Sequence, residues 1–185
     1  MSEKELMRSK LNELLSKEDV VKSIKENIDN LLILIPEIEP MIGFEHNHPH
    51  HHLNVWEHTL EVLKNLNTTD IELNLAGLLH DIGKPFSYQD EEVRHFRGHA
   101  DASYKISKQV LTRLGYDEEF INRVLYLVLT HDIIIDTSNF DNEIGLVIKR
   151  LELQYADAKA HHPDKVSKRL EKLDEIRDHL NLVLY

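Results

Sequence analysis

The most constraining feature of this sequence is the spacing of its apolar residues, which recur every three or four positions along most of the chain. In one segment Val20, Ile24, Ile28 and Leu31 fall at this spacing before Pro36. Such a period places apolar side chains on one face of an α-helix, whereas the alternation typical of β-strands is nearly absent. The pattern predicts an all-α fold of about seven or eight helices. We place them at residues 6–15, about 16–35, 53–66, 70–81, 99–114, 117–132, 141–161 and 164–183.

The length of 185 residues indicates one domain with a sizeable core. Two irregular stretches, residues 36–52 and 83–99, interrupt the helical pattern, and the first contains three prolines. We predict one compact helical bundle at residues 36–185, preceded by a helical extension at residues 1–35.

The composition excludes several classes of protein. The chain has no cysteine, so disulfides and thiolate metal sites are impossible. No apolar run approaches the roughly 18 to 20 residues that cross a bilayer, and no apolar signal segment follows the charged N-terminus. We therefore expect a cytoplasmic protein with no membrane partner.

Charge and histidine content point to small-molecule chemistry. The net charge of −11 repels polyanions as a whole, and no basic face is visible, so we predict no long nucleic acid as a partner. A small phosphorylated substrate or a nucleotide stays possible, because a local cationic group can outweigh the global field. The chain also has 13 histidines, and histidine is the commonest metal ligand.

The segment "LAGLLHDIGKP", residues 75–85, places His80 beside Asp81 at the end of an apolar helix. Neighbouring helical residues are about 100° apart, so only a group at the edge between them can contact both side chains. A divalent cation fits that position. A buried histidine paired with a neighbouring acid at a helix end is the alternative.

Two further residues have settings that favour the metal. His58 lies between Val55 and Val62 at helical spacing, and therefore faces an apolar interface. Asp157 shares a small-residue face with Ala160, where a carboxylate is costly to bury unless it is paired or bound to a metal. His58, His80, Asp81 and Asp157 can converge on one ion and leave positions open for water and substrate.

Five blocks in this order resemble the HD-domain superfamily of metal-dependent phosphohydrolases: "HHHLNVWEHTLEVL", "AGLLHDIGKP", "HFRGHADAS", "VLYLVLTHD" and "ADAKAHHPD". The resemblance covers roughly residues 36–178 and is closest to the HD domain of bacterial tRNA nucleotidyltransferases, the CCA-adding enzymes. It implies hydrolysis of a phosphoester. Only about 35 residues lie upstream, and they look helical, so we expect a stand-alone HD domain and no nucleotide addition.

The resemblance also implies roles for other residues. His99 and His131 match positions that complete a second metal site, with Asp81 as the bridge. In HD domains with one metal such histidines bind phosphate directly, and we expect the two-metal arrangement. We predict Asp81 and Lys84 as catalytic residues, and Lys84, Arg97 and either His51 or His52 as substrate contacts.

Other residues near these motifs have interpretations that do not require a role in the metal site. Asp132 fits a solvated helix end, while His46 and His48 fit either the pocket or adventitious metal binding at the surface. Arg94, like Arg97, flanks the segment that leads into His99.

We therefore predict a metal-dependent phosphomonoesterase or cyclic phosphodiesterase that acts on a small phosphate ester or nucleotide through metal-activated water. The cofactor is one or two divalent ions of Mn, Fe, Co, Ni, Zn or Mg. The alternative is a non-catalytic HD-type module that binds a nucleotide or a protein and uses the metal for structure.

Overall fold

The computed structural model describes residues 2–89, 93–137 and 144–184, and within them the chain is helical, with one isolated bridge between Gln89 and His95. Short 3-10 helices cover Pro36–Met41 and Lys84–Phe86. The α-helices are α1 Glu3–Leu15, α2 Val20–Glu26, α3 Ile28–Leu34, α4 Val55–Leu66, α5 Ile71–Leu79, α6 His99–Arg113, α7 Glu118–Thr130, α8 Ile144–Ala160 and α9 Pro163–Leu184.

The all-α prediction is confirmed, with slightly more helices than expected in the described residues. The additional helix arises because the segment predicted as one helix at 16–35 is divided at Asn27, which ends α2 and precedes α3. The Asn27 side chain donates to the carbonyl of Ser23 at 2.9 Å. Asparagine competes in this way with the helical backbone, a local effect that apolar spacing does not register. The predicted start of α8 at 141 lies outside the described residues.

Helix α4 packs along α8 and against α5, while α7 packs against both α5 and α6. Their apolar faces form one core, to which α1 and α2 contribute Leu11, Leu15 and Ile24. A smaller apolar cluster, which includes Leu151, Leu173 and Ile176, joins α9 to the outer side of α8. This arrangement brings the ends of α5, α6 and α7 together beside α4 and α8.

Capping residues fix where the two central helices begin. Asn54 and Glu57 form a capping box at the start of α4, with the Asn54 side chain accepting from the Glu57 amide at 2.9 Å. Asp70 caps α5 by accepting from the Leu73 amide at 3.0 Å. These caps satisfy backbone amides that have no partner inside the helix, and so fix the first residue of each helix.

The turn after α5 approaches the first turn of α6 so closely that only glycine fits at position 83. A Cβ on Gly83 would lie 2.4 Å from the Ser103 amide nitrogen and 2.6 Å from the His99 carbonyl oxygen. The Gly83 amide also donates to Ser103 Oγ at 2.9 Å. Gly83 therefore holds the start of α6, with His99, against the turn that carries Asp81.

Among the helices in the described ranges, none combines the length and apolar character needed to span a bilayer.

Candidate metal centre

Four side chains predicted to share an ion lie together in the interior. His58 comes from the first turn of α4, His80 and Asp81 from the end of α5 and the turn that follows, and Asp157 from the last turn of α8. All four are almost completely buried, with at most 2% of their surface exposed.

The distances between their donor atoms fit a shared ion. His58 Nε2 lies 2.9 Å from Asp157 Oδ1 and 3.6 Å from Asp81 Oδ2, while His80 Nε2 lies 3.2 Å from Asp81 Oδ2 and 3.8 Å from Asp157 Oδ1. Donors that bind one ion at roughly 2.0–2.2 Å are themselves about 3.0–3.6 Å apart. The four donors therefore have nearly the spacing of a coordination shell. His58, His80 and Asp81 can hold a metal ion on geometric grounds alone.

The outer nitrogen of each buried imidazole faces a backbone carbonyl. His80 Nδ1 lies 2.8 Å from the Gly77 oxygen, and His58 Nδ1 lies 3.4 Å from the Ala160 oxygen. When Nδ1–H donates to a carbonyl, the lone pair of Nε2 is left to point into the site, which is the arrangement that metal-binding histidines usually have. Local backbone geometry thus selects the tautomer that binds a metal.

Some of these buried polar atoms have no hydrogen-bond partner in the part of the chain that the structure describes. They include His80 Nε2 and Asp81 Oδ2, which lie 3.2 Å apart. Buried polar atoms are normally satisfied, and leaving one unpaired costs roughly 1–3 kcal/mol. A divalent cation would satisfy both atoms at once, so the residues present fit a metal ion.

The surroundings keep both carboxylates ionised despite their burial. Burial alone would raise the pKa of Asp81, but His80 and Lys84 beside it hold that pKa well below its ordinary value. Arg169 and His161 outweigh burial in the same way at Asp157 and lower its pKa. Burial lowers the pKa of His58, which favours the neutral imidazole, whereas at His80 the Asp81 carboxylate outweighs burial and raises the pKa. Ionised carboxylates and neutral imidazole are the forms that bind metals.

A second cluster shares Asp81 with the first. His99, at the start of α6, and His131, at the end of α7, have Nε2 atoms 3.2 Å apart. These atoms lie 3.5 Å and 3.8 Å from Asp81 Oδ1, whereas Oδ2 of Asp81 faces His58 and His80. His99 and His131 also place Nδ1 against carbonyls, those of Phe96 and Val128. Asp81 therefore offers one oxygen to each pair of histidines.

Asp132 contacts the second cluster, and the sequence interpretation missed this contact. The residue is about half exposed, as expected at a helix end, but its Oδ2 lies 3.0 Å from His99 Nε2 and 3.4 Å from His131 Nε2. The "HD" repeated at 131–132 was the signal for this residue, but Asp132 was interpreted as a solvated helix end because only His131 matches the family position.

Lys84 lies beside the first cluster, with Nζ 2.7 Å from Asp81 Oδ2. The same Nζ lies 3.0 Å from His46 Nε2, and both residues are buried. His46 is therefore not a surface metal binder, as one interpretation of the sequence allowed. Burial, with a smaller contribution from Lys84, lowers the pKa of His46 to about 2, so this imidazole is neutral at physiological pH.

A cavity of about 580 Å³ opens over both clusters. Its floor includes Asp81, Lys84 and Asp157, and Arg97 lies on its wall. Further lining residues are His48, His50, His51, Arg94, His95, Phe96, His99, His131, Asp132 and His161.

Of the predicted substrate contacts, Lys84, His51 and Arg97 line this cavity, but His52 does not. His52 is exposed, and its ring lies against that of His162 with centroids 5.7 Å apart. Adjacent residues in an irregular segment point in different directions, so the run of histidines could not reveal which of the two faces inward.

A sequence model of the HD domain matches residues 50–184, which include both clusters. The chain belongs to the HD domain family. The predicted boundary between an extension at 1–35 and a functional domain at 36–185 stays a prediction.

Three curated relatives match part of this chain. A CC-adding tRNA nucleotidyltransferase from Thermus thermophilus is 36% identical over 113 residues, covering 57% of this chain and 26% of that protein. An A-adding tRNA nucleotidyltransferase from Deinococcus radiodurans is 34% identical over 136 residues, covering 69% of this chain and 31% of that protein. A multifunctional CCA protein from Shewanella denitrificans is 31% identical over 106 residues, covering 55% of this chain and 25% of that protein. The chain thus spans about a quarter to a third of the length of these relatives.

These relatives correct one prediction. Two of them are named for tRNA, so the exclusion of long nucleic acid as a partner was wrong. That exclusion rested on the net charge of −11, which is a sum over the whole surface. Charges separated by more than about 8 Å are largely screened at physiological salt, so a phosphate at the cavity responds chiefly to nearby groups such as Lys84 and Arg97.

Proposed function

We propose that this HD domain is a metal-dependent phosphohydrolase, with His58, His80, Asp81 and Asp157 as ligands of one divalent ion. The observation that carries this proposal is the division of the Asp81 carboxylate between a buried pair of histidines and a second, partly buried pair at the floor of an open cavity. A divalent ion supplies Lewis acidity for a phosphoryl oxygen and a nucleophilic water at neutral pH.

Other side chains around the cavity provide positive charge and contacts for the substrate phosphate. Lys84 is a buried cation beside Asp81, and offers positive charge to the phosphoryl oxygens. Arg97, on the exposed rim, can bind a phosphate through two parallel hydrogen bonds. His51 lines the wall and gives the substrate an uncharged contact, because burial lowers its pKa far below the ordinary value.

His99 and His131 have two possible roles, and we favour a second ion. The two Nε2 atoms and Asp81 Oδ1 form a group that can hold a metal, and paired ions about 3.5–4 Å apart are common in phosphate-cleaving sites. In the alternative, both imidazoles bind the substrate phosphate directly.

The substrate that we propose is a phosphomonoester or a 2′,3′-cyclic phosphate. The cavity of about 580 Å³ can accommodate a mononucleotide, and it is open enough for the end of a longer chain. Since two relatives are named for tRNA, an RNA terminus belongs in the set of candidate substrates beside free nucleotides.

The test is a hydrolysis screen with Mn²⁺, Co²⁺, Ni²⁺ and Mg²⁺ in turn. The substrates are p-nitrophenyl phosphate, mononucleotides, 2′,3′-cyclic nucleotides and RNA oligonucleotides that end in a phosphate or a cyclic phosphate. We expect release of phosphate or opening of the cyclic ester by the wild type, and loss of that activity in Asp81→Ala.

The same screen tests the alternative of a non-catalytic module with a structural metal. In that case no substrate is cleaved with any ion, while metal binding still raises the melting temperature. That combination of results would contradict the proposed activity and support a binding role.

A further inference from the structure

His46 contacts the Lys84 ammonium, and its position is fixed by the surrounding residues. It lies between the 3-10 helix Pro36–Met41 and α4, with 1% of its surface exposed. Its Nδ1 is 2.8 Å from the Leu53 carbonyl oxygen, to which Nδ1–H donates. This hydrogen bond selects the tautomer in which Nε2 is an acceptor, and Lys84 Nζ lies 3.0 Å from that atom.

Neighbouring rings leave the His46 imidazole little freedom to rotate. His51 stacks on one face, with centroids 3.7 Å apart and planes within 4° of parallel. His58 and Phe96 meet it edge-on, with centroid distances of 5.6 Å and 5.7 Å. The acceptor that faces Lys84 is therefore held in one direction by packing on several sides.

The ammonium of Lys84 needs such an anchor. Lysine carries its charge on a flexible four-carbon stem, so a precise position requires fixed acceptors. His46 Nε2 accepts from one of its three donors, and Asp81 Oδ2 forms an ion pair with the ammonium at 2.7 Å, so a donor is left for an anion in the cavity. The Phe96 ring, 5.4 Å away, adds a cation–π contact.

Asp81 alone is not a dedicated anchor for Lys84. Its Oδ2 also faces His58 and His80, so a bound ion would draw on the same oxygen. His46 Nε2 belongs to neither group of metal-binding residues. It is therefore the acceptor that serves Lys84 whether or not an ion is present.

We propose that His46 is a positioning residue that holds Lys84 between Asp81 and the cavity, so that the ammonium meets the substrate phosphate. This inference rests on the proposed function, because it assigns Lys84 to the phosphate. His46 itself touches neither the metal-binding atoms nor, on this account, the substrate.

Two substitutions separate positioning from packing. His46→Leu fills a similar volume but has no acceptor, whereas His46→Gln can place its side-chain oxygen near the position of Nε2. The first readout, which needs no catalysis, is the acetylation rate of Lys84 relative to the exposed Lys64, measured by mass spectrometry on the whole protein.

We expect His46→Leu to raise the relative labelling of Lys84 about 10- to 100-fold, the effect of losing a hydrogen bond to a charged group. His46→Gln should stay within a few-fold of the wild type. Unchanged labelling in His46→Leu would overturn the proposal. Equal increases in both variants would also overturn it, because His46 would then contribute only packing and not a hydrogen bond to Lys84.

The second readout is a double-mutant cycle with Lys84→Met on the hydrolysis reaction. His46→Leu should lower kcat about tenfold or more by itself, yet add almost nothing in the Lys84→Met background, because the two residues act as one unit. Additive losses would contradict positioning through Lys84. If the wild type hydrolyses nothing, the proposed function fails, while the labelling experiment still decides whether His46 holds Lys84.

Discussion

Arg169 Nη2 lies 2.8 Å from Asp157 Oδ2, while the other oxygen of Asp157 faces His58 Nε2 at 2.9 Å. Helix α9 thus neutralises one side of a buried carboxylate whose other side faces the candidate ion. The contact gives α9 a role at the site, although Arg169 was not among the residues predicted from the sequence.

We expect Arg169→Met to weaken metal binding about 10- to 100-fold, as the loss of a group that orients a ligand usually does. The measurement is a Mn²⁺ titration followed by calorimetry. Arg177→Met is the matched control, since Arg177 lies on the same helix but pairs with the surface residue Asp174. Equal affinities for the wild type and Arg169→Met would show that the ion pair does not support the site.

Gly83→Ala should destabilise the fold, because the new Cβ would overlap the backbone at Ser103 and His99. We expect a loss of about 1–3 kcal/mol in the free energy of unfolding, measured in urea. Gly145→Ala is the control, since among residues 2–89, 93–137 and 144–184 nothing lies within 4 Å of a Cβ there. A Gly83→Ala variant as stable as Gly145→Ala would contradict the close approach of α6.

Asp70→Asn tests the pH dependence of stability at a place away from the candidate metal centre. Burial raises the pKa of Asp70, but hydrogen bonds from Lys149 and from the Leu73 amide outweigh it and hold that pKa below its ordinary value. A depressed carboxyl pKa stabilises the fold above the unfolded pKa of about 3.9, and the contribution is lost as the pH falls through the folded value. Asparagine keeps the helix cap but removes the charge that faces Lys149.

At pH 7 we therefore expect Asp70→Asn to be less stable by roughly 0.3–1 kcal/mol, a small value because the pair is partly solvated. The difference in urea midpoint should shrink steadily below about pH 4. A difference that persists or widens on acidification would show that the ion pair is not its source.

The sequence predicted the helices and the first cluster because both follow from local patterns. His58 and Asp157 could be selected since each carries a polar group on an apolar helical face, a combination that needs a partner in the folded state. His80 and Asp81 stood at a helix end marked by Gly83. For His58 and Asp157, helical spacing indicated that the side chain turns inward.

Residues in irregular segments could not be assigned in this way. The burial of His46 depends on how the segment before α4 folds over Lys84. The spacing of apolar residues does not predict the path of such an irregular segment. Arg169 lies on a largely polar helix, where its contact with Asp157 depends on the angle at which α9 packs against α8. The net charge led to the wrong prediction about nucleic acid for a related reason, since it says nothing about where the cations lie.

His99 and His131 provide a direct test of the number of ions. If they complete a second site with Asp81 Oδ1, replacing both by alanine should reduce bound Mn²⁺ from two per chain to one and leave the first site intact. If the wild type never exceeds one ion and the double substitution changes only substrate affinity, the two histidines are phosphate ligands instead.

The shared role of Asp81 is tested by the metal stoichiometry of Asp81→Ala beside that of the wild type, measured by elemental analysis after saturation with Mn²⁺ and desalting. Because Asp81 offers one oxygen to each pair of histidines, we expect two ions per chain in the wild type and a loss of both in the variant, with the helical circular dichroism signal preserved. An Asp81→Ala protein that keeps the full metal content of the wild type would contradict it.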